Sequence, residues 1–406
     1  MKILKMKLHW QILIALILAV LIGYFTPGLV QYLTWMGTIF LRGLKMVIVP
    51  LIFASIVSGV TSIGSGKSLG RIGFKTMLYY TTTSMLAILT GLVLVNIIRP
   101  GVGVDMGFAE SVTNLPTGSG KIGDLLIRMI PENILDAMVR GDILPIIFFA
   151  ILFGFFISQT PEDYRKPLTN FFEGLFEVMM RVTMFIIRFT PFGILGIVST
   201  EVVRNADKLS NIAGSMAIYM LTVALGLAIH ATITLPLILK FLAKANPVAH
   251  FKNMATPLLT AFSTVSSSAT LPLTLEAVEH KSGVSNKITS FTLPLGATIN
   301  MDGTALYECV AAIFIAQAYG IELTVVQQVI IVVTALLASI GAAGIPMAGL
   351  VMITVVLTAA NLPLEGVGLI IAVDLLLDMM RTSVNVWSDS CCAVTIAKSE
   401  GEATLV

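Results

Sequence analysis

Apolar stretches of about twenty residues, the length that crosses a lipid bilayer, recur along the whole chain. Charged residues make up only 12% of the 406 residues, whereas a soluble domain carries about 25%. They are too few to cover a globule of this size, which excludes a soluble enzyme or a disordered protein. A net charge of +2 also excludes a nucleic-acid binder, because it provides no field for phosphates. We therefore predict an all-α polytopic membrane protein.

Six of these stretches precede residue 241, and the positive-inside rule orients them. The segments 64–75 and 240–252 each carry three lysine or arginine residues and no acid, so both are predicted to be cytoplasmic. The first stretch has no small-residue cleavage site and is expected to remain as an uncleaved span. This alternation places the N-terminus inside. The predicted spans are 9–25, 33–60, 77–98, 142–160, 167–200 and 212–240, the fifth as one tilted helix with a polar side.

The last 160 residues or so follow another pattern, because their apolar segments are short and interrupted. Runs rich in Ser, Gly, Asn and Pro break them at 263–270, 296–304 and 339–346. Such breaks are typical of re-entrant hairpins and discontinuous helices in transporters, where irregular backbone lines a site or is buried in protein. The alternative is three loops between ordinary helices, but loops would carry more charge than these runs do.

The final helix carries its polar residues on one side. At about 100° per residue, six of them project within an arc of about 100°. Ionisable groups inside membrane spans are costly and face a partner, a cavity or a transported ion. Pairing within the helix would neutralise Arg381 with two of the acids but would leave Asn385 and Asp389 unexplained. The six are Asp374, Asp378, Arg381, Thr382, Asn385 and Asp389.

Charge counting indicates what the C-terminal half binds. Five acids and one arginine of that half are expected inside the membrane, a formal excess of four negative charges that must be protonated or matched by cations. Carboxylate, amide and hydroxyl oxygens suit alkali cations, and arginine suits a carboxylate. The predicted cargo is a carboxylate-bearing anion that travels with cations. The four scattered histidines are expected at the membrane interface, not on a transition metal. The acids are Asp302, Glu308, Asp374, Asp378 and Asp389.

Four motifs in this order resemble the glutamate transporter family, the dicarboxylate/amino acid:cation symporters. They are Ser-Ser-Ser-Ala-Thr-Leu-Pro at 266–272, Asn-Met-Asp-Gly-Thr at 300–304, Gly-Ala-Ala-Gly-Ile-Pro at 341–346, and the helix segment 378–385. The resemblance runs over nearly the whole chain. It implies a homotrimer in the cell membrane with eight transmembrane helices, two re-entrant hairpins and both termini cytoplasmic.

The resemblance also implies a division into two parts. Residues 1–76 (spans one and two) and 124–206 (spans four and five) would form a fixed trimerisation scaffold. Residues 77–123 (span three and an external loop) and 207–406 (span six, both hairpins, spans seven and eight) would form a transport domain that crosses the membrane as an elevator.

Carried over position by position, the resemblance assigns a substrate pocket. Arg381 would bind the side-chain carboxylate of the substrate, Asp378 its amino group, and Thr382 with Asn385 the amino-acid moiety. The remaining pocket positions are the backbone at Ser267, Ile345 and Gly349 and the hydroxyl of Thr304.

Sodium ions would be co-substrates, with no cofactor, in three sets of ligands implied by the same resemblance. Tyr80, Thr83 and Ser84 lie on one face of the third span by spacing alone, where hydroxyls are often simple contacts between helices. The sets are Asp389 with Gly296, Asn300 and Asn385; Tyr80, Thr83 and Ser84 with Asn300 and Asp302; and the backbone at Thr298, Ser339, Ile340 and Ala342.

Glu308 is a candidate proton carrier, because burial of a lone carboxyl group in a span favours its neutral form. The alternative is a permanently protonated group that only hydrogen-bonds a neighbouring helix. The chain departs from the family at two positions, since members usually have a second arginine where it has Val265 or Met379. Whether potassium is counter-transported stays open.

The predicted function is import of L-glutamate or L-aspartate with sodium and a proton, not catalysis. Within the family, a neutral amino-acid exchanger is disfavoured by Arg381 and a C4-dicarboxylate symporter by Asp378. A dedicated channel would not need this pair. An intramembrane enzyme with nucleophiles at 266–268 would lack a nearby base.

Overall fold

The computed structural model describes residues 8–61, 67–103, 127, 129–204, 209–340 and 348–406, and this part of the chain is built from helices. Two π-helical turns, His230–Thr234 and Ala277–Lys281, and a 3₁₀ turn, Leu364–Gly366, join some of them. The α-helices are α1 (Leu8–Phe25), α2 (Pro27–Val30), α3 (Thr34–Thr61), α4 (Lys67–Ile98), α5 (Ile134–Arg140), α6 (Ile143–Gln159), α7 (Glu162–Ile187), α8 (Thr190–Arg204), α9 (Leu209–Ile229), α10 (Leu235–Phe241), α11 (Pro247–Asn253), α12 (Ala255–Thr264), α13 (Ser267–Glu276), α14 (Asn286–Ile299), α15 (Asp302–Ala318), α16 (Val325–Ile340), α17 (Ala348–Ala359) and α18 (Val367–Ser399).

Within the described residues, four helical segments are long and apolar enough to cross a membrane, and a fifth if α7 and α8 count as one bent span. Three of the four match the predicted spans 33–60, 77–98 and 212–240: the first is displaced by one residue, and the other two contain their predicted spans. The fourth is α14 with α15. The four segments are Thr34–Thr61, Arg71–Ile98, Ile212–Phe241 and Asn286–Ala318. The chain is therefore a multi-pass membrane protein.

Two predictions for the N-terminal half are wrong. The segment 167–200 is not one tilted helix, because α7 ends at Ile187 and α8 continues at an angle of 52°. Pro191 lies in the first turn of α8, where its missing N–H costs nothing and its fixed φ favours a new helix. The predicted loop 64–75 is helical from Lys67 onward, since α4 begins ten residues before the predicted span.

The predicted breaks in the C-terminal half are confirmed at two of three places. Val265, with a left-handed φ of 54°, and Ser266 separate α12 from α13. The Ser266 hydroxyl caps α13 by accepting the N–H of Ala269 at 3.1 Å. Asn300 and Met301 separate α14 from α15. Of the third predicted break, 339–346, Ser339 and Ile340 still belong to α16, and 341–346 lies outside the described residues. The helices on either side, α16 and α17, pack together.

The helices pack in two groups. In the first, α3 contacts α6, α7 and α8, and α8 also packs on α1. In the second, α15 lies at the centre and contacts α4, α9, α16, α17 and α18. Every residue of α15 except Gln317 is buried. Polar groups on α15 can therefore reach only protein or an enclosed site.

Residues after α18 fasten the ends of three helices together. The Glu400 carboxylate pairs with Arg71 and, at 2.6 Å, with Lys75, both on α4. The Glu402 carboxylate accepts the backbone N–H of Ser285 at 3.1 Å, just before α14. The C-terminal segment thus holds α4, α14 and α18 in one unit on the side predicted to be cytoplasmic.

Candidate functional site

Asp302, the first residue of α15, is fully buried and accepts hydrogen bonds on both carboxylate oxygens. Its Oδ1 accepts from the hydroxyl of Ser84 at 2.6 Å and lies 3.3 Å from that of Thr83, both on α4. Its Oδ2 accepts from the hydroxyl of Ser388 at 2.6 Å and lies 3.0 Å from Nε2 of His230. Three other helical segments therefore converge on this one carboxylate.

Two further residues lie next to the Asp302 carboxylate. Asn300 lies in the break before α15, and Asp389 lies on α18. The Asn300 amide nitrogen donates to Asp389 Oδ1 at 2.8 Å and to the Ser388 hydroxyl at 3.0 Å. The Asn300 Oδ1 is buried and has no hydrogen-bond partner among the described residues. A Cβ at Gly296 would lie 2.4 Å from Asp389 Oδ1 and 2.6 Å from the Tyr80 hydroxyl, so only glycine leaves these oxygens room.

The hydroxyl of Tyr80 donates to the backbone carbonyl of Thr292 at 2.8 Å. It therefore lies beside α14 and Asp389, whereas Thr83 and Ser84 of the same predicted set contact Asp302. The structure brings together the acids of both predicted sodium sets, and it places the Tyr80 hydroxyl beside Gly296 and Asp389 of the other set.

Asn385 joins α18 to the first turn of α15. Its Oδ1 accepts the backbone N–H of Gly303 at 2.8 Å, and its amide nitrogen donates to the Thr304 hydroxyl at 3.3 Å. These bonds satisfy an N–H at the helix start that has no partner within the helix. Asn385 and Thr304, both predicted to bind substrate, thus lie between the acid cluster and Arg381.

Arg381 is fully buried and already paired within α18. Its Nη2 lies 3.2 Å from Asp374 Oδ1 and 2.8 Å from Asp378 Oδ1, and its guanidinium carbon lies 3.7 Å from the centre of the Tyr307 ring. Such stacking on a ring face stabilises a cation. The pairing within the helix considered from the sequence is therefore real. Even so, Nε and Nη1 donate no hydrogen bond to any described residue.

Gly349 lies against this guanidinium from α17. A Cβ there would lie 2.8 Å from Nη1 of Arg381, so glycine keeps space beside the nitrogen that has no partner among the described residues. A planar carboxylate can use two parallel N–H donors of an arginine. Nε and Nη1 of this buried guanidinium therefore remain available as donors to an anion.

Glu308 lies one residue beyond Tyr307 and is fully buried. Neither of its carboxyl oxygens has a hydrogen-bond partner among the described residues. No neighbouring helix within the described part of the chain accepts or donates a hydrogen bond here, which weighs against the purely structural alternative.

The hydroxyls of four further predicted residues are bonded to backbone carbonyls. The hydroxyl of Thr382 donates to Asp378, that of Ser267 to Ala297, that of Thr298 to Leu295 and that of Ser339 to Leu336, at 2.8, 3.4, 3.0 and 2.8 Å. Ile340 ends α16. Ile345 and Ala342 lie outside the described residues, so their predicted roles stay predictions.

Two residues at this site, His230 and Ser388, were not predicted to belong to it. His230 and His250 were expected at the membrane interface, but both are fully buried, and His230 contacts Asp302. Ser388 bridges Asp302 and Asn300. Ser388 does continue the polar arc of α18, at offset 14 from Asp374, so the helical projection could have included it. His230 stands alone in an apolar run and gives no periodic signal.

Comparison of the chain with known proteins identifies its family. Residues 8–399 match the model of the sodium:dicarboxylate symporter family. The chain is 34% identical to the proton/glutamate-aspartate symporter of Escherichia coli, over 98% of this chain and 94% of that one. It is 35% identical to the proton/sodium-glutamate symport protein of Geobacillus stearothermophilus (98% and 96%), and 38% identical to excitatory amino acid transporter 3 of Mus musculus (94% and 84%).

These matches cover nearly the whole chain and confirm the resemblance drawn from the four motifs. The family and these relatives are transporters and not enzymes. The chain belongs to the sodium:dicarboxylate symporter family.

Proposed function

We propose that the protein imports L-glutamate or L-aspartate by sodium symport. One observation carries this proposal: Arg381 is fully buried, yet two of its nitrogens have no hydrogen-bond partner among the described residues. A buried charge with unused donors is costly unless a ligand completes it. The space beside Nη1 suits a carboxylate because Gly349 leaves the approach to this nitrogen open.

The pocket has a second charge for the other end of the substrate. Asp378 lies three residues before Arg381 on α18, where its carboxylate can bind an ammonium group. An amino acid with an acidic side chain presents both groups at once, whereas a simple dicarboxylate would meet Asp378 as a repulsive charge. Thr382, Asn385, Thr304 and the backbone at Ser267, Ile345 and Gly349 would complete the pocket.

Sodium ions are proposed as co-substrates, and no cofactor is needed. Asp302, Asp389, Asn300 and nearby hydroxyls offer hard oxygen ligands of the kind that alkali cations take. The buried Asn300 Oδ1, without a described partner, and the space kept by Gly296 support a cation beside Asp389. The third sodium set, at Thr298, Ser339, Ile340 and Ala342, rests on the family alone.

Glu308 is the proposed proton carrier. Its buried carboxyl group without a described hydrogen-bond partner can be neutral when loaded and charged when released. Two relatives are named as proton symporters, the proteins of Escherichia coli and Geobacillus stearothermophilus. Potassium counter-transport is a further candidate, to be decided by the gradients below.

The packing supports an elevator mechanism with the division already given. The helices α1, α3, α6, α7 and α8 would be the fixed scaffold of a homotrimer, and α4 with α9 to α18 the moving transport domain. The C-terminal contacts of Glu400 and Glu402 would keep that domain in one piece. The protein would lie in the cell membrane with both termini cytoplasmic.

Uptake into proteoliposomes tests this function. L-Glutamate, L-aspartate, L-serine and succinate are each offered under an inward sodium gradient, with and without proton and outward potassium gradients. We expect sodium-dependent uptake of an acidic amino acid only. Serine uptake would favour the neutral amino-acid exchanger, and succinate uptake the C4-dicarboxylate symporter. Uptake that persists with choline in place of sodium would overturn sodium symport.

A further inference from the structure

Ser388 links the two acid groups of the proposed cation sites. It is fully buried on α18, and its hydroxyl donates to Oδ2 of Asp302 at 2.6 Å while accepting from the amide nitrogen of Asn300 at 3.0 Å. Among the described residues, no other side chain hydrogen-bonds to both. Asn300 in turn donates to Asp389 at 2.8 Å. A continuous chain of hydrogen bonds therefore runs from Asp302 to Asp389.

The direction of these bonds fixes the orientation of Asn300. A carboxylate only accepts, so the single proton of the Ser388 hydroxyl points to Asp302, and its lone pairs face Asn300. The amide nitrogen of Asn300 must then face Ser388 and Asp389, which turns its Oδ1 away from both. That oxygen is the buried atom without a described partner, and it is free to bind a cation.

We propose that Ser388 is a positioning residue that couples the two sodium sites. A cation that binds at Asp302 orders that carboxylate, and Ser388 transmits this order to the Asn300 amide, which serves the site at Asp389. The second cation then binds an amide that is already oriented, so the two bind cooperatively. This inference rests on the proposed sodium symport. It adds to it a residue that acts through Asp302 and Asn300 and is not itself proposed as a ligand of the substrate.

Ser390 is a matched control on the same helix. It is also fully buried, but its hydroxyl donates to the backbone carbonyl of Trp387 at 2.8 Å and lies 3.1 Å from Nε2 of His250. Among the described residues, its hydroxyl forms no hydrogen bond to Asp302 or Asn300. Loss of either serine hydroxyl removes buried hydrogen bonds, but only Ser388 links the two sites.

The test is a sodium titration of substrate uptake in proteoliposomes, with the acidic amino acid that the parent protein transports. For Ser388→Ala we expect the half-saturating sodium concentration to rise roughly tenfold, as for other residues that orient metal ligands. The Hill coefficient should fall toward one, and uptake at saturating sodium should stay within about twofold of the parent. Ser388→Thr, which keeps the hydroxyl, should restore the steep titration.

Sodium-dependent thermal unfolding of the purified protein gives a second readout that needs no transport, and Ser388→Gly a second deletion of the hydroxyl. Ser390→Ala should keep the sodium dependence of the parent in both assays. The inference is overturned if Ser388→Ala or Ser388→Gly titrates like the parent, or if Ser390→Ala shows the same shift. A parent protein that does not respond to sodium would instead overturn the proposed function itself.

Discussion

Nε2 of His230 lies 3.0 Å from Oδ2 of Asp302, and both side chains are fully buried. His230 begins the π-helical turn between α9 and α10, and such turns are frequent at functional sites. Because a carboxylate only accepts hydrogen bonds, Nε2 carries the ring proton and donates the hydrogen bond to Asp302. The other ring nitrogen, Nδ1, has no hydrogen-bond partner among the described residues.

His230 should therefore hold Asp302 for cation binding. We expect His230→Leu to raise the half-saturating sodium concentration for uptake roughly tenfold, because Asp302 loses a donor that orients it. His230→Gln can still donate from its amide nitrogen and should recover much of the loss. His250→Leu is the control, since His250 bonds to Ser282 and Ser390 and not to Asp302. A similar sodium shift in the His250 variant would show that the effect comes from general destabilisation.

Arg381 should decide substrate charge. Arg381→Cys should weaken binding of an acidic amino acid by about 3 kcal/mol, or more than 100-fold, because a buried charged hydrogen bond to the substrate is lost. Binding of serine should change much less. Calorimetry at saturating sodium measures both. Arg381→Lys keeps the charge beside Asp374 and Asp378, so it separates loss of the bidentate contact from loss of folding. Unchanged aspartate or glutamate binding in Arg381→Cys would show that the pocket lies elsewhere.

Asp389 should act as a cation ligand. Asp389→Asn removes the charge next to Asn300 and should raise the half-saturating sodium concentration at least about tenfold. By linkage, the substrate should also bind more weakly at fixed sodium, and this loss should shrink as sodium is raised. Asp136→Asn, at an exposed ion pair on α5, is the control and should behave like the parent. If the substrate affinity of Asp389→Asn depended on sodium concentration in the same way as that of the parent, the assignment would be contradicted.

Glu308 should carry the transported proton. In Glu308→Gln, uptake should lose its pH dependence, and substrate entry should no longer acidify the vesicle lumen, because an amide cannot release a proton. Sodium-dependent exchange of internal for external substrate should survive, since the loaded states keep their charge. A dye inside the vesicles reports lumenal pH. Substrate-linked acidification that persists in Glu308→Gln would show that another group carries the proton.

Glu400 should make stability depend on pH. The hydrogen bond from Lys75, together with Arg71, lowers the pKa of Glu400 below its ordinary value. A lowered pKa in the folded state stabilises the protein above the ordinary pKa, and the gain disappears as the pH falls through the folded value. The unfolding temperature of Glu400→Gln should therefore lie below that of the parent at pH 7 and converge with it at about pH 3.

The effect should be small and weaken in high salt, since Arg71 is exposed and its charge is screened. Glu322→Gln, an exposed change in the turn before α16, is the control and should follow the parent at every pH. A difference between Glu400→Gln and the parent that stays constant down to about pH 3 would mean that the ion pair is not its source.

The chain's periodicity and its breaks predicted most of what positions the site. The six polar residues of α18 are buried on one face because their spacing follows the helical repeat. The breaks at Val265–Ser266 and Asn300–Met301 could be predicted because serine, glycine and asparagine interrupt apolar segments there. The bend after Ile187 was missed although Pro191 marks a helix start, since the apolar pattern continues through it.

Contacts between distant segments could not be predicted in this way. His230 and Asp302 lie 72 positions apart, and a single histidine in an apolar run fits an interfacial position as well as a buried one. The pairing of Arg381 with both Asp374 and Asp378 depends on side-chain conformations. The spacing of these residues permits those conformations but does not determine them. Such contacts follow from how α4, α10, α15 and α18 pack, which the local pattern does not encode.

The burial of α15 has a consequence for how the protein responds to its membrane. A bilayer of different thickness acts on helices through their lipid-facing surfaces, by tilting or distorting them. Since every residue of α15 except Gln317 is buried, this helix presents almost no surface on which lipid can act. Asp302 and Glu308 thus lie on a helix that is insulated from the lipid composition. Bilayers of different thickness should alter the rate of transport far more than the identity of the ions that are co-transported.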